Sequence, residues 1–169
     1  MKLSEAKQEF LQTWGKLGSE WGINRTMAQV HALLLISPKP LSTEDIMEEL
    51  SISRGNANMN LRELVTWDLI EKVLVPGERK EYFSAEKDMW EIAKRVAKER
   101  KKREIEPVLK VLKRLEQVEG TADESAEVKE FRTRIAELND FVTKMDKSVD
   151  TMLKAEENWF FGTIIKMIR

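Results

Sequence analysis

SRGNANMNLREL, residues 53–64, places asparagine at 56, 58 and 60 inside a stretch whose leucines at 61 and 64 read as helical. Asparagine is a mediocre helix former because its side chain competes for nearby backbone groups, so three in five positions cost the helix stability. On a helical wheel, Ala57, Leu61, Leu64 and Val65 gather on one side, the side that must dock on the preceding helices. Gly55, Asn56, Met59, Arg62, Glu63 and Thr66 point the other way, with Asn60 at one edge and Arg54 and Asn58 toward the other. A merely solvated face in this lysine- and glutamate-rich chain would carry lysine and glutamate. This one carries amides and a glycine.

The flanking sequence supplies a frame for that helix. Ser4 to Trp21 reads as a first helix, with Phe10, Trp14, Leu17 and Trp21 on one face and Gly22 ending it. Thr26 is the expected cap of a second helix, in which Met27, Val30, His31, Leu34 and Leu35 fall together before SPKP at 37–40 stops it. A third helix, Thr43 to Leu50, has Ser42 as N-cap and Asp45 in its first turn. After the helix 53–67 the period changes: residues 69–75 read as extended, PGERK at 76–80 as a turn and EYFSA as a second strand. Helix, turn, helix, hairpin is the order of a winged helix-turn-helix. The expected fold is therefore mainly α, with a small β-hairpin wing and long C-terminal helices for dimerisation. The expected division is 1–87 for the N-terminal helix and winged domain and 88–169 for the helical remainder.

In that remainder, Glu106-Pro107 bends or restarts the helix that begins at Asp88, and Gly120 is the expected next break. Val128, Phe131, Ile135, Leu138, Val142, Met145, Val149 and Met152 then alternate spacings of 3 and 4, the seam of a coiled coil or an antiparallel bundle. That seam serves self-association, an intramolecular hairpin on 88–118, or both.

Composition narrows the chemistry. The chain has 169 residues, 41% apolar and 35% charged, with 7 glycines, 4 prolines and no cysteine. Disulfides, thiolate metal sites and cysteine nucleophiles are excluded. The N-terminus lacks a signal-peptide pattern, and the longest apolar run, 32–36, is far short of a membrane span, so a soluble cytoplasmic protein is expected. The single histidine, His31, sits on an apolar helix side and reads as packed, not catalytic. GKLGSEWG at 15–22 lacks the strand and spacing of a phosphate loop. No enzyme, metal or cofactor is expected.

The net charge of −1 is unlike that of strongly basic nucleic-acid binders, so any such role depends on where the charge sits. Asparagine can present a donor and an acceptor together to the major-groove edge of adenine, and arginine can pair with phosphate or guanine. Free N–H groups at the helix start favour a phosphate. The candidate DNA contacts are Ser53, Arg54, Gly55, Asn56, Asn58, Met59, Asn60 and Arg62 from the helix, with Arg79 and Lys80 from the wing. The alternative is a helical adaptor acting through its C-terminal seam.

The run from Leu41 to Ile92, above all SRGNANMNLREL, PGERKEYF and AEKDMW, resembles the DNA-binding core of the GbsR-type branch of the MarR superfamily of bacterial and archaeal transcriptional regulators. The resemblance extends more loosely over the whole chain. It implies a homodimeric winged-helix repressor of double-stranded DNA, with 53–67 as recognition helix and a wing centred on 77–80. The Asp-x-Arg pattern common in such wings is met only approximately, by Gly77-Glu78-Arg79. The resemblance also implies a small-molecule effector of choline or betaine type. Trp14, Trp21, Trp90, Trp159 and Tyr82 are candidates for a quaternary-ammonium cage, although tryptophans at helical spacing are usually core; no ligand residues are assigned.

Overall fold

A computed structural model describes residues 1–117 and 125–168. Its first helices begin where local side chains satisfy free backbone N–H groups. Helix α1 spans Leu3–Glu20 and α2 spans Arg25–Ile36. The cap of α2 is Asn24, whose Oδ1 accepts from the Met27 N–H at 3.1 Å, in place of the expected Thr26. Asparagine just before the helix reaches the third N–H of its first turn, a capping geometry that Thr26, already inside the helix, does not have. Ser42 caps α3, Thr43–Leu50, through a reciprocal box: its Oγ accepts from Asp45 N–H at 3.2 Å, and Asp45 Oδ2 accepts from Ser42 N–H at 2.8 Å. Ser51, in the left-handed region at φ 53°, then turns the chain into α4, Arg54–Thr66.

Strands β2, Ile70–Val73, and β3, Tyr82–Ala85, form the expected antiparallel hairpin, with Ile70 opposite Ala85 and Val73 opposite Tyr82. A third strand, β1 at Leu41–Ser42, pairs with β3 and gives the order β1-β3-β2. Two residues are too few to show a period, so the sequence read them only as a helix approach. Between β2 and β3, the Glu78 N–H donates to Val75 O at 3.1 Å across Pro76 and Gly77. Proline fixes the first central φ and Gly77 adopts φ 85°, the requirements of a type II turn.

The chain divides into two compact units, Met1–Arg95 and Val96–Arg169, a boundary that falls inside helix α5, Met89–Arg100. In the first unit, Val30 and Leu34 of α2, Ile46 of α3, and Leu61 and Leu64 of α4 are its largest fully buried apolar side chains. Helices α1 and α2 approach closely because of two glycines. A Cβ on Gly18 would stand 2.6 Å from Ala28 Cβ, and one on Gly15 would stand 2.7 Å from Gln29 Cγ. Gly15 and Gly18 of GKLGSEWG therefore serve helix packing, whereas Gly22, at φ 76°, serves the turn between the two helices. Trp21, expected on the buried face of α1, is exposed just beyond the helix end.

In the second unit, Lys101–Ile105 widens into a π-helical turn closed by the Glu106 N–H on Lys101 O, and α6 follows at Glu106–Leu115. Pro107 supplies no N–H and crowds the carbonyl one turn earlier, which is where such a widening relieves the chain. Helix α7, Ala126–Lys154, packs with α6 and the π turn, and α8 spans Glu157–Ile168. Lys101 pairs with Asp146 at 3.2 Å and with Asp150, an arrangement that raises its pKa, chiefly through the Asp150 hydrogen bond. Gly120, the expected break, lies outside the described residues.

His31 is buried in the first unit, and its Nε2 has no hydrogen-bond partner. Burial, with the Lys87 charge as a lesser cause, lowers its pKa from 6.5 to about 4. The unfolded chain takes up this proton as pH falls through 6.5 and the folded chain only near 4. The histidine therefore costs no stability above neutral pH and progressively more toward pH 4, roughly 3 kcal/mol in full. Replacing it, His31→Leu, is expected to flatten the acid limb of urea-unfolding stability between those pH values. An acid limb unchanged from the parent chain would refute this assignment.

Candidate nucleic-acid interface

Helix α4 is anchored from one side. Ala57, Leu61 and Leu64 are buried, and the helix packs on α2 and α3. At its start, Ser53 Oγ accepts from the Asn56 N–H at 3.2 Å. At its end, Trp67 is buried and donates its indole N–H to Glu63 Oε1 at 3.1 Å, which holds Glu63 back along the helix. Val65, expected on the docked side, is partly exposed at its margin.

The opposite side of α4 is an open groove lined by Gly55, Asn58, Met59, Arg62, Glu63 and Thr66. Its three asparagines separate in role. Asn60 is 3% exposed, and its Nδ2 donates to Asn56 O at 2.8 Å and to Asn56 Oδ1 at 2.7 Å. Its expected role as a DNA contact is therefore corrected: the helix turns its amide inward, where it is spent on the backbone one turn back. Asn56 is half-buried, with its acceptor engaged by Asn60. Asn58 is half-buried and makes no side-chain hydrogen bond among the described residues, so both ends of its amide are available. Gly55 has open space where a Cβ would stand, which leaves no packing reason for glycine there.

The cations also separate. Arg62, Arg79 and Lys80 are exposed and make no ion pair among the described residues. Arg54 is held by Glu44 of α3 at 2.8 Å. The pKa of Glu44 is lowered, first by its own backbone N–H, then by the Arg54 hydrogen bond, with the Lys80 charge contributing. The start of α4 and the wing thus converge electrostatically on one carboxylate. Lys72 of β2 is paired with Glu81 at 2.6 Å. By contrast, the basic run 94–103 is largely neutralised within the chain: Arg95 meets Glu86 at 3.0 Å, Arg100 meets Glu104 at 2.9 Å, and Arg103 meets Glu99 at 2.7 Å.

Two positioning residues were not legible in the sequence. Lys87, just after β3, donates to the carbonyls of Leu34 at 2.7 Å, Leu35 at 2.6 Å and Ser37 at 3.0 Å, closing the C-terminal end of α2. Arg95 donates to the Asp68 carbonyl as well as to Glu86, joining the exit of α4 to the end of β3. Both act over separations that no local period reports. Of the aromatic candidates, Trp21 and Trp159 are exposed, and Trp14, Trp90 and Tyr82 are half-buried.

Residues 21–81, which contain the helix-turn-helix and the wing, match the profile of the MarR family. This stretch is similar to the MarR family, and it carries the helix-turn-helix and hairpin described above. The family is one of transcriptional regulators, not of enzymes. Over 89 residues, 53% of the chain, the sequence is 21% identical to YvaV of Bacillus subtilis (strain 168), provisionally named an HTH-type transcriptional regulator. It is 20% identical over the same length to the HTH-type transcriptional repressor OpcR of that strain. The aligned segment spans about half of each relative, 50% and 48%. A crystal structure of a transcriptional regulator superposes with a TM-score of 0.66 at 20% identity, covering 88% of this chain and 95% of that one. At that identity the likeness speaks for the fold alone. No described helix is long and apolar enough to cross a membrane.

The division of labour among the asparagines has a direct test. Asn60→Ala is expected to lower unfolding stability by about 1 kcal/mol through loss of the inward hydrogen bonds. Asn58→Ala should fall within about 0.5 kcal/mol of the parent, as an unpartnered surface position does. Equal losses in urea titration would contradict the distinction.

Proposed function

We propose that the protein is a sequence-specific double-stranded DNA-binding transcriptional regulator of the GbsR-type branch, a homodimeric repressor that answers to a small molecule. The observation that carries this reading is the unneutralised polar side of α4, with Asn58 and Arg62 free and the wing cations Arg79 and Lys80 nearby in charge terms through Glu44. In such a reading α4 lies in the major groove, its amides and Arg62 meet base edges, and the wing touches the flanking minor groove or phosphates. Ser53, Arg54, Gly55 and Asn56 line the approach at the helix start. The repressor sense is supported by the likeness to OpcR. Choline or betaine chemistry is the effector class suggested by the branch resemblance.

Self-association is supported by the second unit. Along α7, Val128, Ile135, Val142, Val149 and Met152 are half-buried, while Phe131, Leu138 and Met145 stay at least two-fifths exposed. The seam therefore resolves into two rows of seven-residue step, 128-135-142-149 partly covered within the chain and 131-138-145 open, with Met152, in step with the second row, half-buried at its end. An open apolar row on a 29-residue helix suits a second copy, and two copies would present two α4 helices to two half-sites.

The decisive experiment is recovery of bound fragments from genomic DNA by the purified protein, with sedimentation to fix its mass. A shared motif with inverted half-sites and a dimeric mass are expected. A monomer that selects no motif would overturn the reading and favour the adaptor alternative, acting through the α7 row. On the recovered site, Arg79→Ala with Lys80→Ala is expected to weaken all sequences and to flatten the dependence of log K on log salt by roughly one to two units. An unchanged slope would remove the wing from the contact surface.

A further inference from the structure

Met59 is a large apolar side chain held in water at the middle of the outward face of α4, 58% exposed. It shares its groove with Asn58, Arg62 and Thr66, so its surroundings are polar and offer no apolar patch for a protein partner. One turn earlier stands Gly55, with open space at its missing Cβ. Gly55 is the second residue of α4, glycine is a poorer helix former than alanine, and nothing in the packing of the first unit asks for it. Side chains on a helix lean back over the preceding turn, so the surface that Met59 covers is the surface that Gly55 leaves bare. The pair makes a low, apolar, polarisable spot flanked by a free amide and a free guanidinium.

We infer that Met59, seated over Gly55, reads the C5-methyl group of a thymine in the major groove, and that Asn58 beside it reads an adenine edge, so that the centre of each half-site is an A·T step. This rests on the DNA-binding reading above and specifies its sequence class. In the major groove the thymine methyl is the one apolar mark on a base edge, and adenine offers the N7 acceptor and N6 donor that an asparagine amide matches. An unbranched thioether side chain can follow a methyl group through small shifts of the helix, as a β-branched residue cannot. Arg62, one turn beyond Met59, then falls on the next base or phosphate. Asn56, with its acceptor already engaged by Asn60, is the poorer adenine reader of the two.

The test uses the full-length protein and the motif it selects from genomic DNA. Each thymine of the motif is replaced in turn by deoxyuridine, which removes only the methyl. At one central position per half-site, uracil is expected to weaken the parent protein about fourfold, the equivalent of one buried methyl. Met59→Ala is expected to bind both duplexes equally, and Met59→Leu to keep the discrimination. Met59 is exposed, and circular dichroism should show both variants folded as the parent. If the parent binds its motif but no uracil substitution matters, or if Met59→Ala keeps the parent's sensitivity, the inference fails while the regulator reading stands. If no motif is selected at all, both fall.

Discussion

Helix α4 docks by a narrow strip, and the rest of the interface depends on that docking. Ala57, Leu61 and Leu64 are driven against Val30, Leu34 and Ile46 of the same buried core, and this fixes the rotation of the helix about its axis. With that rotation set, residues one and two steps away have no choice of side. Asn60 must enter the margin of the core, and Met59, Gly55 and Arg62 must leave it. A buried amide without partners would be costly, and Asn60 meets that demand locally by bonding back to Asn56. The helix tolerates three asparagines because one is satisfied inside, one is partly satisfied, and one is left for an external partner.

The wing and the ends of the neighbouring helices are tied to the same frame by long side chains. Lys87 closes the carbonyl end of α2, and Arg95 binds the exit of α4 to the end of β3. Both ties join segments adjacent to the strands, so the hairpin cannot shift without breaking charge-assisted hydrogen bonds. Charge is distributed on the same principle. Most cations in α5 and the π turn are paired with nearby carboxylates, whereas those on α4 and at the wing tip are left open or share Glu44. A chain with net charge −1 thereby keeps a cationic surface where a polyanion would approach, and keeps it small. In the proposed DNA-binding reading, acidic neighbours such as Glu44 and Glu81 would restrain non-specific attraction and make base-edge contact relatively more important for affinity.

In the second unit the seven-residue repeat of α7 serves two surfaces at once. Residues 128, 135, 142 and 149 are drawn into the unit that contains α6, and 131, 138 and 145 are not. One periodic pattern is thus consistent with both an intramolecular hairpin and an intermolecular contact.

By itself the sequence determined the order of elements, because caps, breakers and periodicity are local: Ser42, Ser53, Pro76-Gly77 and the α7 repeat each act over a few residues, and each stands where it was read. It determined which residues of α4 face outward except at Val65, expected on the docked side and partly exposed, and Asn60, expected at an edge and buried. Only the tertiary structure decided the fate of Asn60, the spending of Arg54 on Glu44, the third strand at Leu41–Ser42 and the clamps at Lys87 and Arg95. Asn60 bonds only one turn back but is turned inward by the docking of α4. Arg54, β1, Lys87 and the Arg95–Asp68 tie depend on partners 10 to 53 positions away, and a helical wheel carries no information about what stands opposite its edge. Short-range physics writes the elements, and long-range burial chooses which polar groups are left free for another molecule.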